Sequence, residues 1–431
     1  MEYKVMPGGT VSGEARVPGD KSMSHRSIML GALANGATHV SGFLEGEDAL
    51  ATVAAFREMG VQIDGPIDGQ LTIHGVGLAG LSAPTKEIDL GNSGTSIRLL
   101  AGLMAGQDFD STLTGDESLR GRPMARVLTP LALMGADVDG EHPPITVRGG
   151  NLLRGIHYDL PMASAQVKSC VLLAGLYAEG ITSVTEPAPT RDHTERMLRG
   201  FGYDVNKKDG VIFLQGGGEL TATDIDVPAD ISSAAFFMVA ASIAPGSDLI
   251  LTHVGVNPTR TGIINILRLM GADITLSNER EVGGEPVADI RIRYAPLKGI
   301  EIPVDQVPLA IDEMPVLFIA AACAEGRTVL RGAEELRVKE SDRIASMAEG
   351  LTTLGIKNDV RDDGIAIEGG TIGGGVIHTY HDHRIAMAFT IAALRAEQEI
   401  RILDCDHVAT SFPEFDALAR GLGLQISARV D

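Results

Sequence analysis

Cysteine is scarce in this chain: there are three, Cys170, Cys323 and Cys405, each in an apolar or strand-like setting. Three scattered thiols offer neither a disulfide framework nor a zinc spacing, and they point to a reducing compartment. No apolar run reaches the length of a membrane span, and the opening MEYKVMPGG lacks the basic and apolar regions of a secretory signal. A cytoplasmic protein is therefore expected. Positive charge is also in short supply. With 36 Lys and Arg against 57 Asp and Glu, the formal net charge is −21. That balance argues against nucleic acid or anionic lipid as the main partner. It also makes any local crowd of Lys and Arg informative. What is plentiful is glycine, 52 residues, beside 20 prolines and 44% hydrophobic residues, as in a globular chain rich in tight turns. At 431 residues the chain exceeds what one hydrophobic core serves, so two or three domains are expected.

The strongest pattern is an internal period. A helix-like run ends in glycine and re-enters a strand at REMGVQIDG, LMGADVDG, GFGYDV, LMGADITL, TLGIKNDV and GLGLQIS. The turn glycines are Gly60, Gly135, Gly202, Gly271, Gly355 and Gly423, spaced by 75, 67, 69, 84 and 68 residues. Glycine suits a helix end that must turn through the left-handed region. A second alternating strand follows five of the six: LTIHG, ITVRG, VIFLQG, IRIRY and IAIEG. After the sixth there is no room for one, and EYKVMP at the other end of the chain is the candidate to complete it. Each unit also carries an almost wholly apolar helix with a polar start, from KSMSHRSIMLGALANG in the first to DHRIAMAFTIAAL in the sixth. Helices apolar on nearly every face must be buried. Six such units read as two domains of three. A passive binding protein could share this period, so the repeat alone assigns no chemistry.

The starts of these helices gather groups suited to anions. Lys21, Ser22, Ser24 and Arg26 open the first; Asn92, Ser93, Thr95 and Arg98 the second; Ser164, Gln166 and Lys168 the third; Arg384 stands at the start of the sixth. Free N–H groups and the helix dipole favour phosphate or carboxylate there, although Ser, Asp and Asn are also ordinary caps. Basic side chains entering several apolar helices of an acidic protein suggest a cationic site for a small, highly charged ligand. Further cations lie in connecting segments: Arg120 and Arg122, Arg191, and Arg337, Lys339 and Arg343. LGNSGTSIR lacks the G-K-[ST] ending of a nucleotide loop, and His378, His381 and His383 have no second ligand cluster. His193 has no partnered nucleophile in view. For proton transfer the candidates are Asp312, at the mouth of the IDEMP helix, and Glu340, between Lys339 and Arg343. Spacing leaves open a capping role for the first and an ordinary surface ion pair for the second.

Taken in order, PGDKSMSHR, LGNSGTSIR, LTGDESLRGRPM, MASAQVKS, EPAPTRDHTE, IDEMPVL, ELRVKESDR, YHDHRIAMAF and TSFPEF resemble the 5-enolpyruvylshikimate-3-phosphate synthase family across essentially the whole chain. The resemblance implies an α/β fold, a two-domain inside-out α/β barrel of six repeated units with buried parallel helices and solvent-facing sheets. It places residues 20–228 in the first domain and 1–19 plus 229–431 in the second, with the active site in the cleft between them. The implied reaction moves the enolpyruvyl group of phosphoenolpyruvate onto the 5-hydroxyl of shikimate 3-phosphate and releases phosphate, without cofactor or metal, in a cytoplasmic monomer that binds neither nucleic acid nor membrane. Glyphosate is the implied competitive inhibitor.

Carried over motif by motif, shikimate 3-phosphate is expected on Lys21, Ser22, Arg26, Ser164, Gln166, Arg191, Asp312 and Lys339. Phosphoenolpyruvate is expected on Lys21, Gly94, Arg122, Gln166, Arg343 and Arg384. Asp312, Glu340 and Lys21 are the implied catalytic residues. Two positions depart from another branch of the family: Thr410 stands where that branch has a lysine, and Glu335 where it has an asparagine. A sister transferase acting on UDP-N-acetylglucosamine is the nearest alternative, but it commonly uses a loop cysteine that GDESLRGRPM lacks. A non-catalytic relative that only binds ligand is the other.

Overall fold

The computed structural model describes residues 1–429, which form two compact units. One comprises Gly19–Val227 with Val282–Glu285; the other comprises Met1–Pro18, Pro228–Glu281 and Pro286–Asp431. Each is built on its own hydrophobic cluster. No helix among the described residues is long and apolar enough to cross a membrane.

In the first unit the helices are α1 (Lys21–Leu33), α2 (Glu47–Glu58), α3 (Gly94–Ala105), α4 (Glu117–Arg120), α5 (Ala125–Leu133), α6 (Ala165–Gly175) and α7 (His193–Gly200). The second unit holds α8 (Ile231–Ile243), α9 (Gly262–Leu269), α10 (Met314–Cys323), α11 (Arg343–Thr353), α12 (His383–Ala392) and α13 (Phe415–Gly421). Helices α1, α3 and α6 run through one core and α8, α10 and α12 through the other, buried on almost every side. Leu, Ile, Met, Phe and Ala on all faces leave such helices no solvated side. Helices α2, α5, α7, α9, α11 and α13 bury one face and end at the turn glycines read from the sequence. All six of those glycines have positive φ, from +80° at Gly202 to +119° at Gly423. A Cβ would be strained there.

Six small sheets, three in each unit, cover these helices among the described residues. Their strands alternate buried and exposed side chains, as in Ile181–Thr185 and Gln70–Val76. In the second unit the strand Glu2–Val5 lies between Ile400–Leu403 and Ile426–Arg429, antiparallel to both, with Tyr3 opposite Ile402 on one side and Ala428 on the other. The chain's first strand is thus an interior strand of the sheet formed by its last segments.

Candidate active site

In the first unit three core-helix starts carry the expected anion-binding groups. Asp20 caps α1 by accepting from Met23 N, Ser93 caps α3 by accepting from Ser96 N, and Ser164 caps α6 by accepting from Val167 N. Capping of this kind satisfies N–H groups that have no partner within the helix. Lys21, the first residue of α1, pairs through Nζ with Asp48 of α2. One turn further, Arg26 is buried; it donates to Thr194 Oγ1 at 2.7 Å, to Ser169 Oγ at 3.0 Å and to the Ser22 carbonyl at 2.9 Å.

At the start of α3, two guanidinium groups converge on Gly94. A Cβ placed on that residue would lie 2.7 Å from Arg122 Nη1 and 3.2 Å from Arg98 Nη1. Arg122 donates to Asn92 Oδ1 at 2.5 Å. Arg98 donates to Gln166 Oε1 at 2.5 Å, and Gln166 turns its amide to Thr95 Oγ1 at 3.1 Å. Two cations and a helix N-terminus around one bare backbone position form a cradle for a small anion. Arg191 is half-buried in the segment between Glu186 and α7.

Beneath this set His25 is completely enclosed. Its Nδ1 lies 2.8 Å from Thr52 Oγ1 and 3.0 Å from Ser96 Oγ, and its Nε2 lies 3.5 Å from Ser93 Oγ. Burial pushes its pKa well below the ordinary value, the charges of Lys21 and Arg26 push the same way, and Asp20 opposes them weakly. The imidazole is therefore neutral, a bridge joining α1, α2 and the cap of α3.

A second set stands at the starts of α10, α11 and α12. Its centre is Arg343, 1% exposed. Nε donates to Asp382 Oδ2 at 2.8 Å, Nη2 to Glu340 Oε2 at 2.6 Å, and Nη1 to Asp312 Oδ1 at 3.3 Å. Burial alone would lower its pKa; the charges of Asp382, Glu340 and Asp312 outweigh it and hold the guanidinium protonated. Lys339 Nζ lies 3.7 Å from Asp312 and 3.8 Å from Glu335. Arg384 donates from Nη1 to the Asp312 carbonyl at 3.1 Å. Asp382 also caps α12 and accepts from Ser341 Oγ at 3.0 Å.

The structure brings Lys21, Ser22, Arg26, Gly94, Arg122, Ser164 and Gln166 to three neighbouring helix starts of one unit. It brings Asp312, Lys339, Glu340, Arg343 and Arg384 together in the other. Several residues singled out in the sequence lie elsewhere. Arg120 is exposed. Arg337 donates to the backbone carbonyls of Arg361 and Asp362 and pairs with Asp342. Lys168 faces two buried glutamates. Thr410 gives its hydroxyl to the His407 carbonyl.

What sequence reasoning missed are the counter-charges, Asp48 and Asp382. Asp48 lies 27 residues from Lys21, and Asp382 lies 39 from Arg343. The signal for Asp382 was its place two residues before Arg384, at a helix start. Among the described residues no group of three His, Cys, Asp or Glu side chains could hold a metal ion.

Residues 5–418 match the family described as EPSP synthase (3-phosphoshikimate 1-carboxyvinyltransferase). The chain belongs to that family. A 3-phosphoshikimate 1-carboxyvinyltransferase of Alkalilimnicola ehrlichii is 65% identical, with 99% of this chain and 97% of that protein covered. One of Methylococcus capsulatus is 66% identical, with 97% of each covered. The structure of EPSP synthase from Acinetobacter baumannii superposes with a TM-score of 0.88 at 59% identity, over 99% of this chain and 100% of that one. The enolpyruvyl transferase NikO from Streptomyces tendae, 18% identical, shares the fold with a TM-score of 0.79 over 99% and 98% of the two chains.

Proposed function

We infer that this chain transfers the enolpyruvyl group of phosphoenolpyruvate to shikimate 3-phosphate, the reaction of the shikimate pathway for which its close relatives are named. The observation that carries the reading is Arg343, whose single buried guanidinium holds both Asp312 and Glu340. Addition–elimination needs two proton carriers near a cation that also neutralises an anionic substrate. The 5-hydroxyl of shikimate 3-phosphate loses its proton to Asp312 as its oxygen attacks C2 of phosphoenolpyruvate. Glu340 delivers a proton to C3, producing a methyl group and a tetrahedral intermediate. Glu340 then takes a proton back from that methyl as the C–O bond to phosphate breaks.

Lys21 touches both substrates and stabilises the departing phosphate. Ser22, Arg26, Ser164, Gln166, Arg191 and Lys339 hold shikimate 3-phosphate. Gly94, Arg122, Gln166, Arg343 and Arg384 hold phosphoenolpyruvate through backbone N–H groups and forked hydrogen bonds.

Glyphosate is assigned as a competitor of phosphoenolpyruvate, and the working form as a cytoplasmic monomer. Phosphate release with phosphoenolpyruvate and shikimate 3-phosphate tests the reading, with UDP-N-acetylglucosamine as the rival acceptor. Turnover confined to shikimate 3-phosphate is expected. Turnover with the nucleotide sugar, or binding with no turnover, overturns it.

A further inference from the structure

Lys168 is fully buried on α6, and its Nζ lies 2.8 Å from Glu195 Oε1 and 3.0 Å from Glu186 Oε1. A buried lysine is costly unless paired, and two buried carboxylates sharing one site repel each other unless a cation lies between them. The three charges are therefore mutually dependent. The two glutamates have a particular relation in the chain. Glu186 directly follows the strand Ile181–Thr185, and Glu195 lies in the first turn of α7. Between them runs the segment Pro187–Thr194, which leaves the sheet and returns as a helix, with Arg191 near its middle. One ammonium group thus grips both ends of the excursion that presents Arg191.

The grip is reinforced next door. Ser169, adjacent to Lys168 on α6, lies with its Oγ 2.7 Å from Thr194 Oγ1, and Thr194 in turn accepts from Arg26 Nε at 2.7 Å. Within the segment Thr190 donates to Glu186, and Pro187 and Pro189 fix two φ angles. A purely stabilising ion triad could sit anywhere in the core; this one closes a loop that holds a proposed ligand of shikimate 3-phosphate and touches the residue that braces another.

We propose that Lys168, through Glu186 and Glu195, is a positioning residue that clamps the Pro187–Thr194 loop so that Arg191 and Arg26 meet the phosphorylated acceptor in a preset geometry. The proposal rests on the assignment of Arg191 and Arg26 to shikimate 3-phosphate. Its signature is selectivity. Loss of the clamp weakens the acceptor and leaves phosphoenolpyruvate, held by other residues, nearly untouched.

The test compares wild type, Arg191→Ala, Glu195→Gln and the charge-neutral triple variant Lys168→Met/Glu186→Gln/Glu195→Gln, which leaves no buried charge of the triad unpaired. Calorimetric affinity for shikimate 3-phosphate, KM for each substrate, kcat and a melting curve are measured for each. A folded triple variant with acceptor affinity and KM worse by about tenfold or more is expected, with kcat and KM for phosphoenolpyruvate within about threefold; an ångström of misplacement is enough for such an effect. If the triple variant does not fold, Glu195→Gln carries the test, with a smaller shift in the same direction. Wild-type acceptor affinity in whichever of these folds overturns the clamp. Wild-type acceptor affinity in Arg191→Ala instead overturns the site assignment beneath it, whatever the clamp variants do.

Discussion

Asp382 accepts hydrogen bonds from two nitrogens of Arg343, Nε at 2.8 Å and Nη2 at 3.3 Å. Both side chains are out of contact with water. The pair orients a guanidinium whose remaining N–H groups reach Glu340 and Asp312. Asp382→Asn keeps the shape of the cap on α12 but removes a buried charge. Breaking one partner of a buried pair typically costs about 3–5 kcal/mol, and the two carboxylates left on Arg343 put this case at the low end. A melting temperature lower by several degrees is expected, together with a raised KM for phosphoenolpyruvate. An unchanged melting curve refutes the coupling.

Asp312→Asn is expected to retain most of the affinity for shikimate 3-phosphate while kcat falls about 10²- to 10⁴-fold, the usual contribution of a general base. A loss smaller than about tenfold removes Asp312 from that role. Glu340→Gln is read separately, through exchange of the C3 protons with solvent. Undiminished exchange excludes Glu340 as the carrier.

Gly94 does not adopt a positive φ, so alanine is not barred there by the backbone. Its new methyl would instead press on the Arg122 guanidinium, 2.7 Å away. The end of a flexible side chain can yield, which predicts a melting temperature near that of wild type. KM for phosphoenolpyruvate should rise, and the inhibitory concentration of glyphosate, a longer ligand, should rise by a larger factor. Equal factors for the two ligands would sink this steric account.

Neutral, buried His25 makes stability depend on pH. Its folded pKa is depressed below the ordinary value of 6.5, so under about pH 6.5 the unfolded chain binds a proton that the folded chain refuses. Stability contributed this way is complete above the unfolded pKa and declines as pH falls toward the depressed value. As pH falls below about 6.5, the stability of the wild type should decline more steeply than that of a His25→Gln variant followed over the same range. Parallel pH profiles for the two proteins would contradict it.

Deleting residues 1–8 removes an interior strand. Tyr3 is buried and its ring stacks 6.4 Å from Phe415, while Glu2 pairs with Arg401 and Lys4 with Glu399. The truncated protein should lose cooperative melting in the Pro228–Asp431 part of the chain. A wild-type melting curve would dismiss the strand as dispensable.

What was legible in the sequence was what neighbours along the chain decide. The glycine turns at Gly60 through Gly423 follow from a local backbone requirement, and the burial of α1, α3, α6, α8, α10 and α12 follows from having no polar face. Lys21, Asp312 and Glu340 stood out because short motifs carried them. The sequence could also name EYKVMP as the missing strand, because one repeat lacked a partner, although its register came only with the fold. Tertiary structure alone chose the ion partners. Lys21 and Lys168 look alike in sequence, each a lysine in the first turns of an apolar helix. Folding brings Asp48 to the first at a helix mouth, and Glu186 with Glu195 to the second in the interior. Charge attraction acts through space across dozens of residues, so nothing in the local pattern tells which carboxylates the fold will bring to each cation.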